Sequence, residues 1–181
     1  MRTALLLLAL SRICSAGLIV VTPFPDLQGN PGDLVGWGYF LFDDAGHFDV
    51  PTFSEFNPVP DNGLYIDFVS LASNFVVAPA FGAGGQFFDP VLRTGLGEFF
   101  IDPATPAGTV INGTITLHYD QYGQDPNFNP DSFLSGDGFV SKDVSISVVS
   151  PAPEPGAAGM VLAGLALLLF ASLGKRRKIG C

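Results

Sequence analysis

Between positions 17 and 150 no window of a dozen residues keeps a helical period, because glycine and proline recur throughout. Both residues are poor in helix interiors, so this stretch has to be built from short strands and turns. Leu34–Phe42 is a continuous apolar run broken only by Gly36 and Gly38, as expected of a strand buried on both faces. Residues 64–69 alternate, which sets Leu64, Ile66 and Phe68 toward a core and Tyr65 and Asp67 away from it. Residues 74–78 and 95–101 are further strand candidates, ended by Pro79 and by Asp102-Pro103. In residues 113–120, Ile115, Leu117 and Tyr119 would face inward and Thr114, Thr116, His118 and Asp120 outward, after a hairpin-compatible turn at Asn112-Gly113. The last candidate, residues 139–149, sets Val144, Ile146 and Val148 against Asp143, Ser145 and Ser147.

Six or more short strands with turns every ten or so residues predict an all-β fold, an antiparallel β-sandwich of jelly-roll-like kind. No fixed-period repeat stands out, which argues against a solenoid or propeller. One core suits 134 residues better than two. Only Arg93 and Lys142 are basic here against sixteen acids, a net charge of −14. So acidic a surface repels nucleic acid and anionic lipid, and both are excluded as partners of this domain. Disordered acidic segments lack aromatics, whereas sixteen of the seventeen phenylalanines fall in this region, so it is expected to fold.

The two ends read differently. Met1-Arg2 and the apolar residues 3–10 have the form of a secretory signal peptide, with cleavage expected after Ala16, before Gly17. Ile13 precedes Cys14 where a lipoprotein signal needs a small residue, which argues against lipidation. Residues 156–173 carry no charge and reach roughly 27 Å as a helix, nearly a bilayer core. Lys175, Arg176, Arg177 and Lys178 follow and hold that end on the cytoplasmic side. Pro153 and Pro155 keep Glu154 in an extended segment open to a protease or transpeptidase. Cys14 would leave with the signal and Cys181 lies beyond the basic cluster, so the expected mature domain has no disulfide.

The tail, with Pro153-Glu154-Pro155, a Leu-rich span and Arg176-Arg177 in that order, resembles the PEP-CTERM sorting domain of Gram-negative bacteria. That resemblance covers about thirty residues. It implies recognition by an exosortase, cutting near the tripeptide, and delivery to the cell surface or an exopolysaccharide matrix. The stretch from Gly36-Trp37-Gly38-Tyr39 to Asp125-Pro126-Asn127-Phe128 also looks like ectodomains of other PEP-CTERM proteins, and carries no functional residues across. The expected organisation is a signal peptide at 1–16, an ectodomain at 17–150, a Pro-rich spacer at 151–155, a membrane helix at 156–174 and a basic tail at 175–181. Expected partners are signal peptidase and the general secretion machinery, the exosortase, exopolysaccharide, and the inner membrane transiently through the tail.

Catalytic signatures are missing from the middle. His47 and His118 are the only histidines, and no zinc-ligand spacing, Cys-His pair, Gly-x-Ser-x-Gly or complete phosphate loop is present. No catalytic residue is assigned and no enzymatic activity is expected. A polysaccharide hydrolase needs two carboxylates about 5 to 10 Å apart, and the scarce glutamates Glu55 and Glu98 are the first pair to consider. Asp125, Asn127, Asn129 and Asp131 place oxygens at alternate positions as a calcium loop begins, with Asp120 as a further candidate ligand. Pro130 and Gly136 then stand where an EF-hand has glycine and glutamate, so calcium is at most a candidate cofactor and an Asx-turn loop is the plainer reading. A calcium-dependent carbohydrate-binding module is the alternative to a matrix protein, with Trp37, Tyr39, Tyr65 and Tyr122 as candidate rings. Trp37 and Tyr39 lie in the most apolar strand and are expected in the core; Tyr65 is the better candidate for exposure.

Overall fold

The computed structural model describes residues 18–22, 25–43 and 46–150. The chain divides into two units, Met1–Val149 and Ser150–Cys181, and all but the first residue of the second lies outside the described residues. So do the expected signal peptide with its cut between Ala16 and Gly17, and Pro153, Glu154, Pro155, Lys175, Arg176, Arg177 and Lys178. Among the described residues no helix is long and apolar enough to cross a membrane.

Among the described residues nine strands make two sheets. They are β1 (Leu18–Thr22), β2 (Asp26–Gly29), β3 (Leu34–Phe42), β4 (Phe48–Val59), β5 (Gly63–Asp67), β6 (Ala83–Gln86), β7 (Gly97–Ile101), β8 (Val110–Tyr122) and β9 (Phe133–Val148). One sheet runs β1-β3-β7-β5, with β6 also paired to β3; the other runs β2-β9-β8-β4. The all-β expectation is met, with two short 3-10 turns as the only helical elements among the described residues. The pairing is not wholly antiparallel: β2 runs parallel to β9, at the edge of the four-stranded sheet.

Both sheets feed one core. From the five-stranded sheet come Ile19, Trp37, Tyr39, Leu41, Phe99 and Ile101; the other supplies Phe56, Ile111, Ile115, Leu117, Tyr119, Val144, Ile146 and Val148. Phe56 joins the two, its ring 5.2 Å from Trp37 and 5.4 Å edge-on from Phe99. Each such side chain contributes about 1.5–3 kcal/mol on burial, which strands without cysteine rely on. A polar tie adds to it: Ser54 Oγ on β4 lies 2.6 Å from Asp67 Oδ1, 2.7 Å from the Leu96 carbonyl and 2.8 Å from the Tyr65 hydroxyl. That cluster links β4 of one sheet to β5 of the other.

The alternation expected in β8 and β9 is present, with Ile115, Leu117, Tyr119, Val144, Ile146 and Val148 all buried. Trp37 and Tyr39 are wholly buried, as their strand predicts. Three expectations are corrected. Residues 74–78 are not a strand, because the buried Asn74 side chain donates to the carbonyls of Phe68 and Arg93 and holds a loop there instead. Asn112-Gly113 is not a turn but lies within β8, where a Cβ on Gly113 would stand 2.4 Å from the Phe56 ring; the glycine is there for a close approach, not a reversal. In β5 the faces are exchanged: Tyr65 packs on the core while Leu64 and Ile66 are exposed. The cause is register, since Tyr65 sits opposite the core residue Phe99 and paired residues share a face.

Candidate ligand-binding face

Outward-facing residues of β4, β8 and β9 line up in rows across the four-stranded sheet, because the three strands are in continuous antiparallel register. The first row is Phe53, His118 and Phe139; the second Glu55, Thr116 and Ser141; the third Asn57, Thr114 and Asp143; the fourth Val59, Asn112 and Ser145. A register shift between Pro51 and Phe53 sets this phase, leaving Phe53 outside and Ser54 inside.

The first row is aromatic. Phe53 and His118 stack at 4.0 Å between ring centroids and 7° between planes, and Phe139 stands 6.2 Å from His118, tilted by 40°. Phe139 keeps 61 % of its surface in solvent. His118 Nε2 lies 3.6 Å from Glu55 Oε1, linking the ring row to the polar rows. Beyond it, the Thr116 and Ser141 hydroxyls meet at 2.9 Å, Thr114 Oγ1 donates to Asp143 Oδ1 at 2.9 Å and Ser145 Oγ donates to Asp26 Oδ1 at 2.7 Å. At the far end a depression of about 400 Å³ is lined by Asn57, Val59, Asn112, Thr114 and Asp143. A neighbouring one of about 450 Å³ shares Asn57 and Val59 and continues round the β4–β5 corner to Asp61, Leu64 and Tyr65.

Residues singled out from the sequence are placed elsewhere. Glu55 and Glu98 are not brought together: Glu55 is on the outer side of β4, and Glu98 is on the side of β7 opposite the core residues Phe99 and Ile101, so the core lies between them. Facing sheets are about 10 Å apart, which puts the two carboxylates beyond the reach of a glycosidase pair. In the loop after β8, Asp125 Oδ1 accepts the Asn127 N–H at 2.9 Å and the Asn129 amide donates to Gln124 Oε1 at 3.0 Å. The loop thus closes as an Asx-turn followed by a 3-10 turn at Pro130–Ser132, which holds Asp131. Asp120 is half-buried on β8. Among the described residues no three His, Asp or Glu side chains gather as a metal-holding group.

Of the four candidate rings, Trp37, Tyr39 and Tyr65 serve the core, and Tyr122 packs edge-on against Phe133. Burial first, and the Asp67 carboxylate second, push the Tyr39 hydroxyl well above its ordinary value near 10. Burial does the same at Tyr65, opposed by the Ser54 hydrogen bond and assisted by Asp67. The exposed aromatic surface is made by phenylalanines, Phe53 and Phe139 among them, which a search for tryptophan and tyrosine passes over. Part of the face was legible, since alternation alone sets Thr114, Thr116 and His118 outward. No family model matches this chain, and no curated protein matches it.

Proposed function

We propose that this is a secreted, exosortase-processed protein of the cell surface or exopolysaccharide matrix, without enzymatic activity of its own. The observation that carries the reading is the order of the tail: Pro153-Glu154-Pro155, the uncharged residues 156–173, then Lys175, Arg176, Arg177 and Lys178. The other end supports it, because β1 begins at Leu18, just past the expected cut after Ala16, and β9 ends at Val148, before the Pro-rich spacer. Both processing events would spare the strands. In this reading the two sheets are a jelly-roll-like β-sandwich ectodomain, the inner membrane holds it only until the tail is cut, and the catalytic machinery belongs to the exosortase.

Intact-mass measurement of the surface-localised protein tests the proposal. A polypeptide starting at Gly17 and ending near Pro155 is expected; surface protein that still carries Cys181 overturns the processing step and leaves a plain membrane anchor.

A further inference from the structure

Four features of the β4-β8-β9 face point to one kind of ligand. Its ring row offers apolar faces and, in the exposed Phe139, a π-surface that attracts ammonium groups. The far end offers hydrogen bonds, and the Asn57 and Asn112 amides there have no side-chain partner among the described residues. Glu55, Asp143 and Asp26 make the face anionic, while Lys142 alternates with the outward residues and Arg93 is in a loop of the other sheet's side of the chain. Polyanions are therefore repelled and cations drawn in. From His118 to Thr114 is four strand residues, on the order of 14 Å at about 3.4 Å each, more than one sugar ring covers.

We propose that this face binds an amine-bearing polysaccharide, a polymer of hexosamine units with free ammonium groups, laid along β8 from the Phe53–His118–Phe139 row to the Asn57–Asn112–Asp143 depression. Rings take the apolar faces of the sugars, Glu55 and Asp143 take the ammonium groups, and Thr116, Ser141, Asn57 and Asn112 exchange hydrogen bonds with the hydroxyls. This goes beyond the delivery proposal and needs it only to say where the polymer is met.

The test is calorimetric titration of the full chain in detergent with a glucosamine hexamer, at a pH where its amines are protonated. The N-acetylated hexamer, an alginate oligomer and polylysine serve as comparison ligands. Binding of the glucosamine hexamer is expected, with affinity reduced at least tenfold in Phe139→Ala and in Asp143→Asn. Val91→Ala, in an exposed loop away from this sheet, should leave it unchanged, and circular dichroism should show all three variants folded. No binding of the glucosamine hexamer overturns the proposal. Equal binding of polylysine with no effect of Phe139→Ala reduces it to charge attraction and also overturns it, and equal binding of the N-acetylated hexamer or of the alginate oligomer removes the role of the amines and overturns it as well. None of these outcomes bears on the mature C-terminus, so the delivery proposal fails or stands separately.

Discussion

Ser54 has one hydroxyl proton and three oxygen neighbours within hydrogen-bonding distance. The arrangement closes when the Tyr65 hydroxyl donates to Ser54 and Ser54 donates to Asp67 or the Leu96 carbonyl. Asp67 also accepts backbone N–H groups from Ser54, Val69 and Ser70, so its carboxylate organises the turn after β5. Ser54→Ala should cost about 1–3 kcal/mol, because it strands buried partners, and Tyr65→Phe should cost less. In urea denaturation the double variant is expected to lose less than the sum of the two, and strict additivity would show that the cluster does not act as a unit. The tyrosines add a pH dependence. Tyr39 and Tyr65 hold their protons more tightly folded than unfolded, so above pH 10 the unfolded chain binds fewer protons. Their contribution is complete below about pH 10 and is lost as pH rises further, which Tyr65→Phe should weaken in denaturation curves taken from pH 8 to 12.

At the scale of elements, β4 and β9 show what sequence patterns miss. Pro51 and Pro58 both lie in β4, which is possible because β4 is the edge of its sheet and an edge strand tolerates a missing N–H. Among the described residues β9 is covered on its free side only by β2, from Ser145 to Val148, so residues 133–144 are an open edge. Lys142 sits in that open stretch, in register with the buried Ile115 and on the inward phase of Val144, yet is exposed. An inward-phased charge on an open edge opposes pairing with another chain. Lys142→Val should therefore produce concentration-dependent association in light scattering with little loss of fold; a strictly monomeric variant would remove this role. The strand at residues 74–78 failed for a different reason, since one buried asparagine outweighs a short apolar run.

For the whole molecule, pairings join distant parts of the chain: β2 near the start pairs with β9 near the end, and β1 and β3 pair within one sheet while β2, between them in the chain, belongs to the other. Such long-range closure is slow, and refolding in milliseconds to seconds is expected by stopped-flow fluorescence of Trp37, whereas microsecond relaxation would contradict this topology. The strand-rich class, the inward residues of β8 and β9 and the acidic charge of the domain were all legible in the amino-acid sequence, because alternation and composition are local properties. Local alternation gives two faces without saying which is inside. In β5 the pairing of Tyr65 with Phe99 decided that, and buried the one ring expected outside. The candidate face has the same history: Thr114, Thr116 and His118 could be read as outward from β8 alone, but Phe53, Phe139, Asn57 and Asp143 join them only through the registers of β4 and β9. Register is set by contacts between residues far apart in the chain, and only the tertiary structure contains them.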